Sequence, residues 1–222
     1  MKAALASVLG ILLAGAAGAM PGHDVDGPLV EVDFTNQGLT PAHWTMILHP
    51  DGSGHFRSER GHLALENAQA LDVPEVDRDI RVSAEFAGNV FAAAGRHKWF
   101  NAECESHMKV AFQGWKKLSY AGPEGQGSCS FNYSKDKEIQ ALGDSLVGLA
   151  GTILEGSRLE MLLRHDRLGL DHELEYLAEA AGDGRLKQVC AIRGILERLS
   201  EDPDVMERVR KRARVLLAKA EE

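Results

Sequence analysis

Cys104 and His107 stand three residues apart in the stretch FNAECESHMKVAFQGWKKLSY. That spacing suits one corner of a metal site, a redox centre, or one end of a structural disulfide. A zinc corner needs further ligands at similar spacing, and a thioredoxin-type centre needs Cys-x-x-Cys; the chain has neither. Three cysteines occur, at 104, 129 and 190. Cys190 follows Val189 in an amphipathic stretch, which suits a buried free thiol. Cys104 and Cys129 are therefore the candidate disulfide of an exported protein. One obstacle stands against them. If 107–113 and 128–133 are strands of a meander with 116–121 between them, regular pairing holds the two cysteines about 10 Å apart. Bridged Cα atoms come within roughly 7 Å. The bond requires the segment around Cys104 to leave the ladder and cross the end of the sheet.

The nine histidines yield one candidate metal set. His49 and His55 flank the turn Pro-Asp-Gly-Ser-Gly, where a hairpin would set them opposite each other. Asp51 or His62 could complete a site with nitrogen and oxygen ligands. The spacing matches no standard motif, and the plainer reading, polar residues on the wet face of an edge hairpin, is favoured. His165 and His172 are separated by Gly169, so they share no helical register. No Gly-x-Ser-x-Gly elbow occurs, and "GSG" at 52–54 is turn chemistry. The Gly-rich GPEGQGS lacks the helix or the Lys-Ser/Thr ending that a phosphate cradle needs. No catalytic residue, metal ligand or cofactor is assigned. The run RVRKRAR (208–214) is the one basic cluster; its charges surround most of a helix and leave Val209, Leu216 and Leu217 as an apolar strip. Asn132-Tyr133-Ser134 is a glycosylation sequon, relevant only in a glycosylating host.

The elements that must position these residues follow from period. LVEVDF (29–34) alternates as a half-buried strand, and 43–59 reads as a hairpin about the Pro-Asp-Gly-Ser-Gly turn. HLALE (62–66) and ALDV (70–73) are weaker strands. DIRVSAEFAGNVFAAAGRHKWF changes to helical period, with Ser83 as N-cap and Phe86, Val90, Phe91 and Ala94 on one face. Segments 107–113, 116–121 and 128–133 alternate as an antiparallel meander, with Met108, Val110 and Phe112 inward. From Lys135 the pattern is helical to the end, interrupted at Gly169, at "GDG" (182–184) and at Asp202-Pro203. Asp171 is placed as the cap of the helix after Gly169, and Asp202 as the cap of the last.

The chain opens MKAALASVLGILLAGAAGAMPGHD, with one basic residue, an apolar run and Ala17-Gly18-Ala19. This predicts a signal peptide over 1–19 cleaved after Ala19, and export to the periplasm or exterior. No later apolar run suits a membrane span. The formal charge is −8 over 222 residues, and losing Lys2 with the leader makes it one unit more negative. That balance argues against nucleic acid and equally against an anionic membrane surface.

MILHPDGSGHF, the KWFN helix ending, MKVAFQGWKKLSY and LRHDRLGLDHEL together resemble a group of exported bacterial proteins of unknown function. The resemblance spans about residues 29–220 and implies fold and location, with no activity, cofactor or site residue. The expected architecture is α+β: a mostly antiparallel sheet with one inserted helix over 20–134, then α-hairpins over 135–222 packed on or beside it. The expected role is an exported, soluble, non-catalytic binding or protein-interaction domain, its partner a protein or small ligand of the cell envelope. The alternative is a metal-binding protein or metal-dependent enzyme built on His49 and His55. A third role, helper of an exported complex, would use the terminal helices for docking.

Overall fold

The computed structural model describes residues 27–60 and 75–220. The expected signal peptide over 1–19, the candidate strands 62–66 and 70–73, and His62 lie outside the described residues. Six strands form one sheet: Leu29–Thr35 (β1), His43–Leu48 (β2), Ser53–Ser58 (β3), Val76–Arg81 (β4), Trp115–Gly122 (β5) and Gly125–Phe131 (β6). Their order is β4-β3-β2-β1-β5-β6, with every neighbouring pair antiparallel. Helix Ala84–Arg96 (α1) is inserted between β4 and β5. Helices Lys137–His165 (α2), Gly169–Gly182 (α3), Arg193–Glu201 (α4) and Glu207–Lys219 (α5) follow the sheet. The fold is α+β.

Alternation decides which face of the sheet is covered. Val30, Val32, Phe34, Trp44, Met46, Leu48, Phe56, Leu118 and Phe131 point to one face and are almost fully buried. α1 and the first half of α2 supply Ala87, Val90, Ala94, Leu146, Leu149 and Ile153 to the same core. On the opposite face, Glu31, Asp33, Thr45, Ile47, His55, Arg57, Asp77, Asp79, Lys117, Ser119, Ser128 and Ser130 are all at least partly exposed. A second buried cluster joins the end of α2 to α3, α4 and α5 through Leu159, Leu170, Leu174, Leu177, Leu196, Leu199, Val209 and Leu216. α2 belongs to both clusters and links them. The ion pair from Arg78 on β4 to Glu160 on α2, at 2.7 Å, braces the same junction.

Four expectations about the elements are corrected. Segment 107–113 is not a strand; Met108, Val110 and Phe112 point outward, so the meander is a two-stranded hairpin. Helical period begins later than Asp79, because Val76–Arg81 pairs with β3. Four of the six residues of β4 are charged, which suits a sheet edge and hides the alternation of Val76 with Ile80. α5 opens at Glu207 with Met206 as its N-cap residue. Asp202 instead closes a turn, accepting the backbone N–H of Asp204 at 2.9 Å. Asp171 lies in the first turn of α3, behind Leu168, and receives Arg208 and Arg212 of α5. Ser83 does cap α1, accepting the N–H of Phe86 at 3.2 Å.

The end of α1 carries an unusual turn. Lys98, Trp99 and Phe100 all have positive φ, between 54° and 61°. Left-handed backbone costs an L-residue about 1–2 kcal/mol. Packing opposes that cost: Phe100 is fully buried, and the Trp99 ring stacks on Tyr120 at 4.5 Å between centroids.

Candidate functional site

Cys104-Glu105-Ser106-His107 begins a loop whose two ends are fastened to the exit of β6. Cys104 and Cys129 stand at disulfide distance, with Sγ atoms 2.04 Å and Cα atoms 5.7 Å apart. The separation expected from a meander does not arise, because the chain before residue 107 runs directly beside β6. The Glu105 carboxylate accepts backbone N–H groups from Asn132 at 2.7 Å and His107 at 3.0 Å. Ser106 donates its N–H to the Tyr133 carbonyl at 2.9 Å, and its hydroxyl oxygen accepts the Met108 N–H at 3.1 Å. At the far end, Asn132 Oδ1 accepts the Gln113 N–H at 2.6 Å while Nδ2 donates to the Ala111 carbonyl at 3.3 Å. The Asn132 amide therefore fastens the far end of the loop.

Below the loop lies Lys116, a buried lysine facing the core. Its Nζ donates to the Asn132 carbonyl at 2.9 Å and the Gly114 carbonyl at 3.3 Å, and sits 5.3 Å from the centre of the Phe131 ring. Burial lowers its pKa from the ordinary lysine value, opposed by the charges of Asp144 and Glu105. Glu105 is partly buried, which by itself raises a carboxyl pKa; the hydrogen bonds from Asn132, His107 and Ser106 outweigh that, and its pKa falls below the usual carboxylate value. Left-handed φ at His107 (54°) and Gly114 (105°) turns the chain out and back. A Cβ on Gly114 would lie 2.5 Å from the Phe34 ring, so only glycine lets the returning chain close on β1.

The clamp holds apolar side chains in solvent. Of the eight large apolar residues exposed among the described residues, five gather at this end of the sheet: Leu39, Met108, Val110, Phe112 and Trp115. Trp115 opens β5 opposite Thr35, and Leu39 lies in the loop that leaves β1 just beyond Thr35. Phe112 meets Trp115 edge-on, centroids 6.5 Å apart. Together these residues form an apolar rim. The alternation of 107–113 pointed these residues inward, so the rim went unseen in the sequence. The sequence between the two supposed strands gave no contrary signal, because Gly114-Trp115 has the glycine-first pattern of a type II′ hairpin turn.

Among the described residues, His49 and His55 are not set opposite each other across the hairpin. His55 stands opposite Ile47, with its ring nitrogens 3.0 Å from Asp77 and 3.0 Å from Asp79. His49 lies in the turn, its Nδ1 3.5 Å from the Pro28 carbonyl. His43, unremarked in the sequence, is bracketed in the same way by Asp33 at 3.4 Å and Glu59 at 3.0 Å. Among the described residues no three His, Cys, Asp or Glu side chains are grouped to hold a metal ion. The basic run on α5 faces its own fold: Arg212 reaches Asp171 and Glu175, Arg208 reaches Asp171, and Arg210 and Arg214 reach Glu207. Cys190 is half-buried in a cleft of about 430 Å³ with Ser83, Phe86, Gln188 and Lys219, and burial raises its thiol pKa.

The GPEGQGS turn also has a packing role. A Cβ on Gly127 would lie 2.5 Å from the Trp99 carbonyl oxygen and 2.8 Å from the Asn101 nitrogen. The phenol of Tyr120 is pushed up to about 12 by burial and by its hydrogen bond to Glu124. Elsewhere, burial and then the facing Glu173 push the Glu155 carboxyl up to about 7 against the opposing charge of Arg158. No protein-family model matches the chain, and no curated protein matches it.

Proposed function

We propose that this chain is an exported, non-catalytic interaction protein of the cell envelope, and that the apolar rim at one end of the sheet is its contact surface. One observation carries the reading: Met108, Val110 and Phe112 are exposed on a loop anchored by hydrogen bonds and a cysteine pair, with Leu39 and Trp115 exposed at the same end of the sheet. Contiguous exposed apolar surface marks interaction sites. Aromatic and Met side chains are the types enriched where surfaces meet. A pre-formed loop loses little conformational freedom on binding, which favours affinity. The terminal helices suit docking less well, because α5 buries Val209, Ala213 and Leu216 in its own bundle.

The test is a photo-crosslinking residue at position 112 in cells that make the chain natively, with the same residue at 168 as control. Leu168 is exposed but distant in sequence, on the helical part. A discrete adduct from 112, of protein or lipid, is expected in the envelope fraction. Equal labelling at 112 and 168, or an adduct from 168 alone, overturns the reading.

A further inference from the structure

We propose that the rim docks on an anionic lipid surface, with Met108, Val110 and Phe112 entering the interface and Lys109 and Lys117 reaching the phosphates. This rests on the reading of the rim as the contact surface and names what it contacts.

Three observations favour lipid over a protein groove. The first is charge. The formal charge of the whole chain is −8, yet residues 106–122 contain three lysines and a histidine with no Asp or Glu. Lys109 and Lys117 are exposed beside the apolar side chains. Of the acidic side chains close by, Glu105 accepts loop N–H groups, Glu103 pairs with His107 at 3.7 Å, and Asp33, directly across from Lys117, lies 3.4 Å from His43. Basic residues at a membrane face are attracted to anionic headgroups, and long lysine stems allow the charge to stay in water while apolar neighbours sink. Composition of the chain as a whole could not show this local departure.

The second is the state of the loop backbone. The N–H groups of His107, Met108, Val110 and Gln113 are bonded to Glu105, Ser106, the Met108 carbonyl and Asn132 respectively. The N–H groups of Lys109, Ala111 and Phe112 make no bond among the described residues, so the side chains of the loop enter hydrocarbon while its backbone stays at the headgroup level, where those groups find partners. A loop built to add a strand to a protein sheet would also keep the bonded donors of His107, Met108, Val110 and Gln113 free.

The third is shape and residue type. The apolar side chains stand on projecting loops, 36–42 and 106–115, that leave the same end of the sheet. A lipid surface accepts such projections without a complementary pocket. Trp115 sits at the base of the rim with Phe112 and Met108 beyond it in the loop, which suits the preference of Trp for the headgroup level.

The experiment uses the chain from Met20, which keeps every described element and lacks the apolar leader. Co-sedimentation is measured with vesicles of phosphatidylcholine alone and of phosphatidylcholine with phosphatidylglycerol. Binding is expected to the second and to weaken as salt rises. Tryptophan emission is expected to shift to the blue on binding, because Trp44 is buried and Trp99 is stacked on Tyr120, leaving Trp115 as the exposed reporter. The double substitution Met108→Ser, Phe112→Ser is expected to weaken binding about tenfold or more. Lys109→Glu should weaken it on the anionic vesicles. Leu168→Ser should leave it unchanged, and unaltered far-UV dichroism confirms that each variant is folded.

No binding to anionic vesicles by the unaltered chain, or equal binding by the double variant, overturns the proposal. A protein adduct from position 112 without vesicle binding assigns the rim to a protein partner. That outcome keeps the rim as the contact surface and removes only the lipid.

Discussion

The Glu105 carboxylate accepts the backbone N–H of Asn132 at 2.7 Å, and the Asn132 side chain in turn holds Gln113 at 2.6 Å. The two residues fasten opposite ends of one loop to the same point on β6. Glu105→Ala should free the first end and leave the Asn132 N–H without its partner. A stability loss of about 1–2 kcal/mol is expected in chemical denaturation. Hydrogen exchange should quicken at Asn132 and His107 while the β1–β2 amides stay protected. The pH dependence has a defined sign. The folded pKa is depressed, so the contribution of Glu105 is complete above the ordinary carboxylate value and is lost as pH falls through the lower folded value. An acid limb that is the same with and without Glu105 would refute this.

The cysteine pair gives the second prediction. Thiol titration of the unfolded, unreduced protein should find one thiol per chain, that of Cys190. Three thiols would show that the pair is not bonded in solution. With 25 residues of separation, closing the loop stabilises by ~3–4 kcal/mol in the chain-entropy picture. Cys104→Ala with Cys129→Ala should lower the unfolding free energy by that order.

Glu155 and Glu173 face each other between α2 and α3, with Arg158 bound to Glu173 at 2.8 Å. Burial, then Glu173, raises the Glu155 pKa from 4.5 to about 7. Between those values the folded chain keeps a proton that the unfolded chain has released, so stability falls as pH rises through this range. Glu155→Gln should flatten the slope and leave the variant more stable than the parent above pH of about 7, by on the order of 1 kcal/mol. Parallel stability curves for parent and variant across that range would contradict the assignment.

Gly127 approaches the chain between Trp99 and Asn101 too closely for a side chain. Gly127→Ala should push the left-handed turn off β6 and cost about 2 kcal/mol, as overpacking does. Loss of the Trp99–Tyr120 stack would appear in near-UV dichroism. A stable variant with an unchanged near-UV spectrum would show that the turn can shift freely.

The final helix gives the fifth. Arg212 joins Asp171 and Glu175 across α3 and α5. Arg212→Ala should destabilise by about 1–2 kcal/mol, since Asp171 is mostly buried and keeps only Arg208. Lys211→Ala, whose side chain points away from these partners in helical register, is the control expected to change little.

Periodicity alone determined most of the architecture. LVEVDF, the hairpin about Pro-Asp-Gly-Ser-Gly, the Ser83-capped helix and the leucine stripe from Ile139 to Ile153 are short-range patterns. Each follows from which residues must face a core and which must face water. Cysteine count and the failure of any metal or redox spacing likewise narrowed Cys-Glu-Ser-His toward a disulfide. What tertiary structure decided was every relationship between segments distant in sequence. Met108, Val110 and Phe112 alternate as a buried strand would, yet Glu105, Asn132 and Lys116 hold them outside the sheet. His49 and His55 bracket one turn, but strand register sets Ile47 across from His55. Arg208 and Arg212 of α5 read as part of a basic patch until Asp171 and Glu175 of α3 are brought against them. A period states only that a segment has two unlike faces. Which face meets protein, and which is left for something else, depends on backbone pairing and ionic partners that the fold alone brings together.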